Sequence, residues 1–175
     1  MGILNLKKKT AVKFIKNKQN ILPKEKKTES RRIKKVGVLA EVSLFQTYDF
    51  RKRLSSQLGI QEEDMVVLLF DPSGKENSLD NSKICNEKSF GLYGSAKAPA
   101  LSNFLEKKFD LLINYCEADQ VYDQVIMVRS LAGLKVGYDH PNNFFNDISI
   151  KIKGNQLDTF NAELVKYLEL LKLID

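Results

Sequence analysis

Val36-Gly37-Val38-Leu39-Ala40 is a run of small and apolar residues with no polar face, so a strand formed there has to be covered on both sides. Met65-Val66-Val67-Leu68-Leu69-Phe70 and Leu111-Leu112-Ile113-Asn114-Tyr115 repeat the pattern. Strands of this kind belong to parallel sheets, whose neighbours are joined by helical crossovers. Such helices are legible in between. Phe50, Leu54 and Leu58 are four apart and precede Gly59, a left-handed cap. Pro99 suits the first turn of a helix through Leu101, Phe104 and Leu105. Asp119 is placed to cap a helix carrying Val121, Tyr122, Val125, Ile126 and Val128, with Gly133 as its terminator. Leu134, Val136 and Tyr138, then Ile148, Ile150 and Ile152, alternate with small or polar residues and predict two more strands, the last at an edge. A Gly154-Asn155 turn leads into a final helix with its stripe at Leu157, Phe160, Leu164, Leu168 and Leu171. The expected fold over residues 36–175 is therefore α/β, a three-layer sandwich with a mainly parallel five-stranded sheet of Rossmann-like topology. Pro72 to Lys88 reads as its longest loop.

The chain in front of this body differs in charge. Across the 175 residues the net charge is +6, but residues 1–36 hold 13 Lys/Arg against Glu25 and Glu29, a net +11, which leaves the rest at −5. Residues 1–22 set Ile3, Leu4, Ala11, Phe14, Ile15 and Leu22 near one side of a helical wheel with lysines over the remainder, a basic amphipathic helix. Residues 23–35 are too polar to offset their ordering entropy and read as a charged linker. The polyanion-binding candidates are Lys7, Lys8, Lys9, Lys13, Lys16, Lys18, Arg31 and Arg32.

Several function classes fall away. No window approaches the roughly 20 apolar residues of a membrane span. Lysines interrupt the only stretch resembling an export signal, and Leu6 stands where a myristoylation signal beginning at Gly2 needs Ser or Thr. Cys85 and Cys116 are far apart, which fits a reducing cytoplasm, and the lone His140 cannot assemble a zinc site. No metal or cofactor is expected. The first strand runs into Ala40-Glu41-Val42-Ser43 without the glycine turn of a dinucleotide fold, and Ser73-Gly74-Lys75 lacks the upstream glycine of a phosphate loop. No Gly-x-Ser-x-Gly nucleophile elbow occurs.

Parallel sheets place ligands beyond the carboxyl ends of their strands. There the sequence offers Glu41, Asp71, Asn114, Tyr138, Asp139, His140 and Asn143 as ligand-binding candidates, densest in Tyr138-Asp139-His140-Pro141-Asn142-Asn143. Turn chemistry explains the same Asp, Asn and Pro residues without any ligand.

Lys-Lys-Val-Gly-Val-Leu at 34–39, Phe-Asp-Leu-Leu-Ile-Asn-Tyr at 109–115, Leu-Ala-Gly-Leu-Lys-Val-Gly-Tyr at 131–138 and the Leu-rich final helix resemble a family of small flavobacterial-type proteins without an assigned activity. That resemblance implies a size, a compartment and a fold, and no catalytic residues. Phe109 to Tyr138 is also faintly similar to the acceptor-binding half of heptosyltransferase-like sugar transferases, whose sugar nucleotide sits mainly in a second domain. The expected function is a cytoplasmic, non-enzymatic interaction module whose basic arm binds RNA or a ribonucleoprotein. The alternatives are a small-molecule site or enzyme at the strand ends, attachment to the inner face of a membrane, and docking of Phe14, Ile15 and their neighbours on the body or on a second copy, with the lysines merely solvated.

Overall fold

A computed structural model describes residues 2–21, 32–74, 83–116, 121–141, 143–152 and 156–175. The chain runs α1 (Ile3–Gln19), β1 (Val36–Glu41), α2 (Val42–Phe45), α3 (Phe50–Leu58), β2 (Met65–Phe70), β3 (Ile84–Cys85), α4 (Pro99–Leu105), β4 (Leu111–Asn114), α5 (Val121–Arg129), β5 (Leu134–Tyr138), β6 (Ile148–Ile150) and α6 (Leu157–Leu170). The strands form one sheet in the order β3-β2-β1-β4-β5-β6, and every neighbouring pair is parallel. The sheet has six strands rather than the expected five. Ile84 and Cys85, inside the stretch read as a loop, pair with Leu69 and Phe70 and add the edge strand β3. Two residues of pairing are too few for periodicity to register.

Strand alternation divides the interior into two layers. Val36, Val38, Ala40, Met65, Val67, Leu69, Leu111 and Ile113 point to one face, where α3 and α6 cover them. Leu39, Leu68, Phe70 and Leu112 point to the other, under α4 and α5. Gly59 ends α3 in the left-handed region at φ 66°, and Pro99 opens α4, as expected. α5 stops at Arg129, four residues before Gly133, whose φ is not left-handed. In α6 the stripe is Leu157, Phe160, Leu164 and Leu168, while Leu171 lies beyond the helix and is exposed. The cap expected at Asp119 and the turn at Gly154-Asn155 fall outside the described residues.

Helix α1 rests on the α4/α5 side of the body, against α5 and the 3₁₀ turn Leu92–Gly94. Ala11 and Ile15 are buried beneath it, a contact to which Ile15 contributes about 2 kcal/mol. Val12 and Phe14 are half-buried, and toward the start of the helix Ile3, Leu4 and Leu6 are exposed. Polar contacts fix the seat. The Tyr93 backbone N–H donates to Thr10 Oγ1 at 3.0 Å. The Arg129 guanidinium stacks 4.3 Å from the centre of the Phe14 ring and donates to the Tyr93 carbonyl at 2.8 Å. The turn itself leaves no slack, because a Cβ on Gly94 (φ 66°) would lie 2.5 Å from Val125 Cγ1. Where the chain enters the body, the Ile33 N–H donates to the Leu173 carbonyl at 2.9 Å and Arg32 pairs with Asp175 at 2.6 Å.

Candidate functional site

From β1 the crossover through α3 leads to β2 on one side, whereas β4 continues through α5 to β5 on the other. The carboxyl ends of β1 and β4 thus flank the crevice where the two halves of the sheet diverge. Glu41 closes β1 half-buried, and Asn114 closes β4 in full burial.

A side-chain network is built around Asn114. Its Oδ1 accepts the Cys116 N–H at 3.0 Å and its Nδ2 donates to Asp123 Oδ2 at 3.1 Å. Asp123 also accepts the Gln124 N–H on Oδ1 at 2.7 Å and Gln124 Nε2 on Oδ2 at 3.1 Å. Gln124 Nε2 continues to Asn143 Oδ1 at 2.8 Å, and Asn143 Nδ2 donates to the Tyr138 carbonyl at 2.8 Å, a carbonyl shared with Asn146 Nδ2 at 3.2 Å. Burial pushes the Asp123 carboxyl up to about 7, against the pull of its bonds from Asn114 and Gln124. Gln124 Oε1 is buried and has no hydrogen-bond donor among the described residues. The cluster therefore offers a carboxylic acid poised at neutral pH beside an unfilled acceptor.

The other sequence candidates have local duties. Asp71 is buried and accepts the Ser73 N–H at 2.9 Å and Ser73 Oγ at 2.6 Å, a turn at the end of β2. Asp139 is exposed, with its N–H bonded to the Ile150 carbonyl at 2.9 Å. His140 is half-buried, and its carbonyl accepts the Asn143 N–H at 2.9 Å. Asn114, Tyr138 and Asn143 are brought together, while Asn142 lies outside the described residues. Sequence reading missed Asp123 and Gln124. The signal was available as two polar residues inside Val-Tyr-Asp-Gln-Val-Ile-Met-Val, on turns that otherwise face the core. Cys116 is fully buried, and its thiol is pushed up by that burial, then by the Asp123 and Glu41 carboxylates, so no reactive thiolate forms. Burial likewise raises Cys85 to about 12.

A second candidate is the solvent side of α1. Lys9, Lys13 and Lys16 follow one another at four and three residues, on the side of the helix away from Ala11 and Ile15, and all three are exposed. Lys8 and Lys18 are exposed as well, three residues from Ala11 and Ile15 on that side of the helix, and Lys7 is half-buried. Lys13 and Lys16 have no carboxylate partner among the described residues. Arg31 lies outside the described residues, and Arg32 is engaged with Asp175. The chain belongs to DUF6913, a family of unknown function. The DUF6913 match spans residues 7–171, taking in α1 from Lys7, the whole sheet and α6. No curated protein and no solved structure matches the chain. Among the described residues, no group of three His, Cys, Asp or Glu is placed to hold a metal ion, and no helix is long and apolar enough to cross a membrane.

Proposed function

We propose that this protein is a non-enzymatic binding module in which α1, seated on the α/β body, presents its lysines to a polyanionic surface. The observation behind this reading is the two-sidedness of α1: Ala11 and Ile15 lie under the helix while Lys9, Lys13 and Lys16 stand away from the body. Seating removes most of the entropy cost of ordering the helix at the moment of binding, so a modest number of phosphates suffices to hold it. The buried thiols Cys85 and Cys116, neither in a disulfide, suit work in the cytoplasm. Immobilised heparin is a direct probe. Wild-type affinity should fall steeply with salt, and the variant Lys9→Gln/Lys13→Gln/Lys16→Gln should reduce the slope of log K against log salt by about 2 to 3. An unchanged slope refutes the reading.

One observation favours a second reading, a small-molecule site at the carboxyl ends of β4 and β5. The unfilled Gln124 Oε1 beside Asp123 suits a ligand that brings a hydrogen-bond donor, an amine or a hydroxyl. Titration with methylammonium and ethanolamine, followed in ¹H–¹⁵N spectra, should move the side-chain amides of Gln124 and Asn143. The absence of any saturable shift there discards it.

A further inference from the structure

We infer that the polyanionic surface met by α1 is an anionic lipid bilayer, an inference that rests on the reading of α1 as an electrostatic interface. Contact with a nucleic-acid backbone uses charge and hydrogen bonds and gives exposed aliphatic side chains nothing to do. The solvent side of α1 has both charge and aliphatics, in adjacent bands. Ile3, Leu6 and Thr10 succeed one another at three and four residues along one flank of the helix. Because the Tyr93 N–H is bonded to Thr10 Oγ1, the turn Leu92–Gly94 lies alongside that same flank. Ile3 is 75% exposed, Leu6 43%, Leu92 48% and Tyr93 50%, so the two elements together leave an apolar edge in solvent. The lysine row at 9, 13 and 16 runs beside it along the same helix.

An apolar band beside a basic one is the arrangement of a helix that lies in the plane of a bilayer surface. Aliphatic side chains enter the boundary of the acyl chains, a tyrosine sits at headgroup level, and lysines face anionic lipid. The seat on the body limits how deep the helix goes. Ala11 and Ile15 stay beneath it, so the insertion of this flank is confined to Ile3, Leu6 and the neighbouring Leu92 and Tyr93, which gives reversible attachment that needs negative lipid.

The test uses the full chain in three assays: co-sedimentation with phosphatidylcholine vesicles, with vesicles containing about 30% phosphatidylglycerol, and a mobility shift with polyadenylate. The decisive variant is Ile3→Ser/Leu6→Ser, which leaves the charge unchanged and alters only exposed side chains; a melting curve checks that the fold is kept. It should lose about tenfold or more in affinity for the phosphatidylglycerol vesicles and keep its affinity for polyadenylate, while Lys9→Gln/Lys13→Gln/Lys16→Gln weakens both. If Ile3→Ser/Leu6→Ser binds vesicles as well as the wild type, the bilayer assignment is overturned. If the wild type shifts polyadenylate but ignores every vesicle, the assignment is equally overturned, the electrostatic reading survives, and RNA or a ribonucleoprotein is the partner. Should the wild type bind neither, both readings fall together.

Discussion

Helices α1 and α6 look alike as sequence: each has an apolar stripe at three- and four-residue spacing and a polar remainder. They do different work. α6 lays Leu157, Phe160, Leu164 and Leu168 on the sheet, and Phe160 meets the rings of Tyr115 and Tyr138 at centroid distances of 5.1 and 4.8 Å. α1 buries only Ala11 and Ile15, and it touches α5 and a turn rather than the sheet. Their polar sides differ too. α6 mixes Asp158, Glu163, Lys166 and Glu169, with Arg53 of α3 paired to Asp158 at 2.9 Å, whereas α1 has lysines and amides and no acid. Periodicity identifies an amphipathic helix, but the size of the residues it buries and the one-sidedness of its charge separate a helix that builds a domain from one displayed on it.

The contrast can be broken most readily at Phe160. Phe160→Ala removes a fully buried ring and should cost about 3–5 kcal/mol in denaturant unfolding. A loss no larger than that from trimming α1 would make the two helices equivalent. Next in size is a pH effect in α5, the helix on which α1 rests. Asp123 ionises near 3.8 when unfolded and at about 7 when folded, so between those values the folded chain holds a proton that the unfolded chain has released. Stability therefore falls as pH rises through that window, by roughly 1.4 kcal/mol per pH unit at its steepest, and Asp123→Asn should flatten the profile. A wild-type melting temperature that rises from pH 4.5 to 7 would contradict the buried acid. Ile15→Ala comes third, at about 1–2 kcal/mol, and should act locally: amide exchange should quicken along α1 and stay unchanged in β1 and β4. Equal acceleration throughout would show α1 to be part of the cooperative core. Smallest of all, Lys13→Gln/Lys16→Gln should leave the melting temperature where it is, since both side chains are exposed and neither has a carboxylate partner among the described residues.

The strands of the sheet were legible where they are long and apolar, because burial on both faces forces residues 36–40, Met65–Phe70 and residues 111–113 to be apolar, with polar residues only at the carboxyl ends Glu41 and Asn114. β3 was not, since Ile84 and Cys85 take their conformation from Leu69 and Phe70 rather than from a pattern of their own. Of the network at the strand ends, Asn114, Tyr138 and Asn143 were found by the rule that ligand sites lie there. Asp123 and Gln124 were hidden because they reach the same place from a crossover helix whose neighbouring residues are core. Docking of α1 on the body was one reading of its apolar stripe, but the place was not legible: Ala11 and Ile15 announce an apolar side, and the turn at Tyr93 and Gly94 determines what it meets.

The junction at Ile33 and Leu173 has a mechanical consequence. Residue 33 leads directly into β1, which has a parallel neighbour on each side, and it is bonded to the segment that follows α6. Tension applied at residue 33, behind the seat of α1, would pass straight to an interior strand, loading the β2 and β4 ladders in shear together with the Arg32–Asp175 pair. Traction on the edge strand β3 would open its two-residue pairing one bond at a time. A pull that enters at residue 33 is thus shared by two ladders, whereas one on β3 meets a single short one.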